Sequence, residues 1–342
     1  MLFECKLAEA QFLSPLQNFG PEAQPIEYRR DLLTGRECRI NVKRAERVKQ
    51  AQKAFDPAEM VGESAARCYF CPQNLEASTP KFPPEIAPEG RFAVGEATVF
   101  PNLFPFAKYH AIATVSRAHS LDLHEFTEAQ IGDGLRAGIE YFRRLKEADK
   151  GPLHALFNWN HLPPSGASII HPHVQLLADG RPTSTNALYL EASEYFQKEN
   201  KRSYWAVLAE EEGKGERAIG RMGAVHFLAS AVPFGNNEVT IVFEGASNIL
   251  DLQEKQATDF ARGMKRLLDG YGRMGVKSFN LTTFTGPLGE GREDFWLNMR
   301  LISRPTPNRY YTADAGFLEL LHSERVVESM PERVAEELRK GF

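Results

Sequence analysis

The sequence predicts an α+β fold built as two tandem halves, antiparallel sheets with helices packed on them. Three observations predict it. The pattern strand, strand, helix, strand, strand runs through 92–178 and returns through 224–303. Both runs close on a strand that leads to Arg-Pro, at Arg181-Pro182 and Arg304-Pro305. A chain of 342 residues, 42% hydrophobic and 25% charged, has the composition of a soluble globular protein and the length for one large or two medium domains.

In chain order, residues 1–25 are expected to be irregular, because Pro15, Gly20, Pro21 and Pro25 interrupt them. Thr34-Gly35 marks a turn, with a short strand around Cys38–Val42 after it. Lys43-Arg44-Ala45-Glu46-Arg47 is a basic knot, either a solvated face or a holder of phosphate by guanidinium contacts. Residues 54–65 look loop-like. Cys68–Cys71 opens a knuckle, and the prolines at 72, 80, 83, 84 and 88 predict extended or turning chain. Residues 1–90 are therefore read as an N-terminal extension carrying the knuckle.

The first half is placed at 91–182. Phe92–Phe100 and Tyr109–Val115 read as strands. Thr127 caps a helix over 127–148, with Gln130 at its third position and Ile131, Leu135, Ile139, Phe142 and Leu145 at helical spacing. Leu153–Trp159 is a strand, and a Gly/Pro/Ser loop at 160–168 feeds the strand 169–178. Residues 183–222 connect the halves by a helix at 186–209 and a turn at 212–215. The second half, 223–342, repeats the order with strands at 224–234, 238–243, 277–284 and 294–303 and a helix at 253–270.

The strand 169–178 is apolar except for His171, His173 and Gln175. Extended chain puts positions i, i+2 and i+4 on one face, so these three point one way and Pro172, Val174 and Leu176 the other. Such a set can bind phosphate, bind metal or supply a nucleophile; two hydrogen-bonded core histidines are the bland alternative. The second half has Trp296, Asn298 and Arg300 in these positions, so one active site per chain is expected.

The cysteines are Cys5, Cys38, Cys68 and Cys71, and no disulfide framework is expected. Cys68-x-x-Cys71 is the spacing at which one turn offers two thiolates to a metal. Redox pairs share that spacing, but no thioredoxin-type βαβ pattern surrounds it, which favours metal. The net charge of −4 gives no support to a nucleic-acid or membrane-surface role. No apolar run approaches the roughly 20 residues of a membrane span. The start lacks the basic-then-apolar order of a secretion signal, so a cytoplasmic protein is expected.

Together these motifs resemble the galactose-1-phosphate uridylyltransferase family, a duplicated branch of the histidine-triad superfamily that includes ADP-glucose phosphorylase-like enzymes. The matching segments are Tyr28–Gly35, Arg44–Arg47, Cys68–Pro72, Val99–Pro105, then Asn160, Gly166 and Ser168 before His-Pro-His-x-Gln, and finally Ala315–Glu319 and Met330–Ala335. The resemblance implies two histidine-triad-like halves, the second degenerate. It implies transfer of a nucleoside monophosphate from a nucleoside diphosphate sugar to a sugar 1-phosphate or inorganic phosphate, through a nucleotidyl-histidine. His173 would be the nucleophile, and Gln175, Ser168 and the amides near Gly166 would hold the phosphoryl oxygens. Asn102 and Asn160 would position the nucleotide, and Arg44 and Arg47 its phosphates. A structural zinc on Cys68, Cys71, His119 and His171 and a homodimer are implied as well.

Departures from the family pattern are Val174 in place of the usual Gly, expected to pack on the opposite strand face, and the missing sugar-contacting Lys-Phe-x-x-Gly-Tyr-Glu pattern, which leaves galactose specificity unsupported. The histidines of a second, iron-type site are missing from the second half. His110, His124, His154 and His161 match no family position and read as surface or loop residues. A nucleoside polyphosphate phosphorylase or hydrolase, a non-catalytic nucleotide-binding protein and a zinc hydrolase are the competing readings.

Overall fold

A computed structural model describes residues 2–46, 57–307 and 313–342. Strands β1 (Phe3–Ser14), β2 (Gly20–Asp31) and β3 (Glu37–Ile40) open the chain, followed by helices α1 (Pro57–Ala65) and α2 (Pro72–Ser78). The first half holds β4 (Phe92–Val94), β5 (Ala97–Pro101), β6 (Tyr109–Thr114), α3 (Glu128–Ala148), β7 (His154–His161) and β8 (His173–Asp179). Helices α4 (Ser184–Asn200) and α5 (Tyr204–Glu212) lead to β9 (Ala218–Met222), β10 (Val225–Ala229), β11 (Val239–Phe243), α6 (Glu254–Arg273), β12 (Ser278–Phe284) and β13 (Asn298–Arg304). Helix α7 (Phe317–Leu321), strand β14 (Arg325–Val327) and helix α8 (Pro331–Arg339) close it.

One ten-stranded sheet contains both halves, in the order β4-β5-β6-β8-β7-β12-β13-β11-β10-β9. Read from either edge, that order places corresponding strands in corresponding positions, so the repeat expected from the sequence is an approximate two-fold within a single sheet. A row of cross-strand partners fixes its register. Ile112 pairs with Gln175 and Gln175 with Asn158; Asn158 pairs with Thr282, Thr282 with Arg300 and Arg300 with Thr240. Arg300 thus occupies the place of Gln175.

The two faces of this sheet differ because successive strand residues alternate sides. Ala155, Phe157, Trp159, Val174, Leu176, Phe279, Leu281, Met299 and Leu301 join the main core with residues of α3 and α6. Their neighbours His173, Gln175, Asn158, Asn160, Asn280 and Arg300 look the other way. Val174 is buried on the helix side, as expected of a packing residue. Thr127 caps α3 with Gln130 reaching back, the reciprocal arrangement read from the sequence.

The crossing helices meet the sheet at glycines. A Cβ built at Gly263 would lie 2.0 Å from the ring tip of Phe227, whereas at Gly138 the nearest atom, in Phe157, is 3.0 Å away. Overpacking costs about 1–3 kcal/mol, against about 1 kcal/mol that alanine gains over glycine in a helix. Gly263→Ala is therefore expected to lower stability by about 1–2 kcal/mol in chemical denaturation, and Gly138→Ala to come out closer to neutral.

Several element assignments need correction. Residues 1–25, expected to be irregular, lie largely within a long hairpin over 3–31 with twelve residue pairs, from Phe3↔Asp31 to Ser14↔Gly20. Pro21 and Pro25 are accommodated because the outer edge of β2 is unpaired before Glu27. The loop-like 54–65 contains α1 within its described part, and Pro72 starts α2, since proline at the first helical position loses no hydrogen bond. Phe92–Phe100 is two strands folded back at Gly95, whose φ of +58° suits the turn. The helix expected at 186–209 breaks at Lys201 into α4 and α5. The strand expected from residue 169 begins only at His173. Among the described residues no helix is long and apolar enough to cross a membrane.

Candidate active site and metal centre

Three separate segments bring Cys68, Cys71, His119 and His171 together, with one ligand atom from each all within 4.8 Å of one another. The knuckle between α1 and α2 supplies the thiols, and Asn74 Nδ2 donates to the Cys68 carbonyl at 2.9 Å. Each imidazole is fixed by its far nitrogen. His171 Nε2–H donates to the Ser116 carbonyl at 2.8 Å. Ser64 Oγ spends its proton on the Val61 carbonyl, so at 2.8 Å it accepts from His119 Nε2–H. Both rings therefore turn an unprotonated Nδ1 to Cys71 Sγ, 3.4 Å away for His119 and 3.6 Å for His171.

Burial pulls the pKa of His119 down and that of His171 to about 4, while burial and the Cys68 thiol push Cys71 up to about 11. Two bare imidazole nitrogens and two buried thiols converging on one point could hold a metal ion. The four residues expected as ligands are the four brought together.

Two residues beyond His171, β8 begins with His173. Its Nδ1–H donates to the His171 carbonyl at 2.7 Å, and its ring packs edge-on against Phe70 of the knuckle, with centroids 5.2 Å apart. Burial lowers its pKa, opposed by that carbonyl, so the ring is neutral near pH 7 with Nε2 bare. A neutral imidazole anchored through one nitrogen is a nucleophile at the other.

Gln175 follows on the same face. Asn160 lies one strand away on β7, with its Oδ1 accepting from Asn280 Nδ2 of the second half at 2.6 Å. Gly166, at φ +90°, and Ser168 are exposed on the loop between β7 and β8, and Leu162 is held there at φ +66°. A positive φ in a γ-branched residue is a strained conformation. Asn102 Oδ1 accepts from the Phe104 amide at 2.8 Å, so it does cap its turn.

Arg44 stands apart from β8. It lines a cleft of about 720 Å³ with Arg304, Asp314 and the N-terminal end of α7. The cleft reaches the loop through Arg304, which donates to Asn280 Oδ1 at 2.8 Å, and Asn280 donates in turn to the Ser165 carbonyl at 2.8 Å. Arg47 lies outside the described residues.

The ranking of the remaining histidines needs correction. Of His110, His124, His154 and His161, only His124 is exposed; His110 and His161 are buried on strands and His154 is half-buried. His110 is the functional candidate that the sequence reading missed: its Nε2 lies 3.0 Å from Gln175 Oε1. The available signal was one polar side chain alternating within the apolar strand Tyr109–Val115.

His161 is on the helix side, stacked on Phe279 and edge-on to Phe126. Burial, with a smaller contribution from His173, drives its pKa from 6.5 to about 3. Above pH 6.5 it is neutral folded or unfolded and adds no pH dependence. Below that, the unfolded chain binds a proton that the native state refuses, so stability falls until the native ring titrates near 3. His161→Phe is expected to reduce the pH slope of unfolding free energy between pH 4 and 6 by about 1.4 kcal/mol per pH unit, the value of one proton. Urea titrations across that range read it.

No protein-family model matches the chain. An uncharacterized protein of Archaeoglobus fulgidus is 29% identical over 320 residues, covering 93% of each chain. Among solved structures, an ADP-glucose phosphorylase from Arabidopsis thaliana with bound ADP-glucose matches with a TM-score of 0.74 at 18% identity, over 92% of this chain and 99% of that one. A GalT-like protein from Arabidopsis thaliana gives 0.71 at 18% identity over 92% and 98%. A uridylyltransferase gives 0.68 at 18% identity over 92% and 98%. The chain has an α+β fold of two similar halves joined in one sheet. More particularly, it is the fold of the uridylyltransferase and ADP-glucose phosphorylase structures, as the sequence resemblance implied.

Proposed function

We propose that this chain is a nucleotidyltransferase that moves a nucleoside monophosphate from a nucleoside diphosphate sugar to inorganic phosphate or a sugar 1-phosphate. The observation that carries the reading is the His173 ring itself: Nδ1–H anchored on the His171 carbonyl, Nε2 bare, on a strand face beside Gln175. Nε2 attacks the α-phosphorus, a P–N bond forms, and the P–O bond to the sugar 1-phosphate breaks. The leaving group is a phosphate, so no general acid is required. An acceptor phosphate oxygen then attacks the same phosphorus and breaks the P–N bond. Gln175, Ser168 and the loop amides near Gly166 stabilise the phosphoryl oxygens between the two displacements. Asn102 and Asn160 hold the nucleotide, and Arg44 and Arg47 its phosphates. A homodimer belongs to the same reading, and sedimentation tests it.

The metal of this reading is zinc. Tetrahedral bonds of about 2.3 Å to sulfur and about 2.0 Å to nitrogen set the ligand atoms about 3.5 Å apart. Cys71 Sγ lies 3.4 and 3.6 Å from the two Nδ1 atoms. With four protein ligands and no open position, zinc there would fix the chain and take no part in the displacement.

The test is to incubate the protein with UDP-glucose and ADP-glucose labelled at the α-phosphorus, without acceptor. Acid-labile label on protein and release of stoichiometric glucose 1-phosphate are expected with one of them. Turnover on adding phosphate alone defines a phosphorylase, and turnover only with a sugar 1-phosphate a transferase. Absence of label and of turnover with both overturns the reading.

A further inference from the structure

Gln175 is useful to phosphoryl transfer only with its N–H end turned to the substrate. A carboxamide rotated by half a turn would present its oxygen to the phosphoryl oxygens and repel them. Something must therefore choose between two ends of nearly equal shape. His110, on β6, stands opposite Leu177 and diagonal to Gln175, and is in a position to choose.

The choice follows from hydrogen-bond accounting around one buried ring. The Phe106 amide N–H points at His110 Nδ1 at 3.4 Å, so Nδ1 is an acceptor and the neutral ring carries its proton on Nε2. Burial lowers the pKa of this ring, which keeps it neutral. Nε2 lies 3.0 Å from Gln175 Oε1 and 3.1 Å from Asn102 Nδ2. Of these two neighbours only the Gln175 oxygen can accept the proton. That pins Oε1 to β6 and leaves the Gln175 N–H groups for the pocket. Asn102 Oδ1 is held by the Phe104 amide, so in this tautomer the Asn102 N–H end, 3.1 Å from the same nitrogen, finds no acceptor in the ring. The ring of Phe106, with its centroid 4.4 Å from that of His110, packs edge-on against it.

We propose that His110 is a positioning residue: through its Nε2–H it orients the Gln175 carboxamide so that N–H groups face the transferred phosphoryl. This rests on the nucleotidyl-transfer reading above.

The first test does not need turnover. Long-range ¹⁵N–¹H spectra of the histidine rings, assigned by loss of the His110 signals in His110→Phe, are expected to show the Nε2–H tautomer at His110. The Nδ1–H tautomer overturns the proposal, whatever the enzyme does. The second test is kinetic. His110→Phe is expected to lower kcat for nucleotidylation about 10- to 100-fold, the scale of a misdirected oxyanion donor, with KM within about two-fold. His110→Gln, which can return an N–H near the position of Nε2, is expected to recover most of the loss. In a Gln175→Ala background His110→Phe is expected to cost less than about two-fold. An undiminished loss in that background, or no recovery with His110→Gln in a protein of normal melting temperature, overturns it. Failure of the wild-type protein to become labelled counts against the nucleotidyl-transfer reading, while the tautomer still decides the geometry.

Discussion

His173→Asn is expected to fold normally and to lose turnover by at least about 10⁴-fold, the scale of removing a covalent nucleophile. The second half of the chain gives the reason for choosing asparagine. At the position of His173 it carries Asn298, whose Nδ2 donates to the Trp296 carbonyl two residues back at 3.1 Å. His173 Nδ1 makes the same bond to the His171 carbonyl at 2.7 Å. The fold thus already contains the substituted version: an asparagine that satisfies the backbone carbonyl and has no second nitrogen to attack phosphorus. Label from an α-labelled nucleotide sugar should vanish from the variant, while the melting temperature stays within about 3 °C, about 1 kcal/mol for a chain of this size. Undiminished label on His173→Asn would move the nucleophile to another residue and remove the central assignment.

What the sequence could reveal depended on whether the information was local. The alternation at 171–176, the Thr127–Gln130 cap and the Cys-x-x-Cys turn are each contained in a few consecutive residues, and each was legible. The repeat was legible because the two halves share an order of periodicities, and the row from Ile112 to Thr240 gives it a register. The hairpin at 3–31 was hidden by prolines that would break a central strand but not the open edge where they lie. His110 was hidden for a different reason. Its contact with Gln175 exists only through the pairing of β6 with β8, a register that composition does not encode. Asn280 and Arg304 were missed in the same way: Asn280 reaches Asn160 across the seam between the halves, and Arg304 holds Asn280.

Removing the metal ligands is expected to have the second large effect. The cluster joins the α1–α2 knuckle, the segment after β6 and the residue just ahead of β8, beside a small apolar core of Phe70, Leu75, Phe100, Ile112 and the cysteines. Without a metal, burial holds the Cys71 thiol protonated, its pKa pushed up to about 11, and its single proton faces two bare imidazole nitrogens. That arrangement leaves buried polar groups poorly matched, and the metal would offset it. Cys71→Ser should lose the single equivalent of zinc measured by emission spectrometry and lower stability by about 3 kcal/mol or more, a melting shift of roughly 6–12 °C. Activity should fall too, since His173 hangs from the carbonyl of His171 and packs on Phe70 between the two cysteines. If the metal only fixes the chain, as proposed, the residual enzyme should keep its pH profile and its choice of nucleotide. A hydrolase with an open metal site would change both. Zinc-free protein with unchanged melting and activity would make Cys68 and Cys71 an ordinary thiol pair, and would leave the position of His173 to the Ser116 and His171 backbone contacts alone.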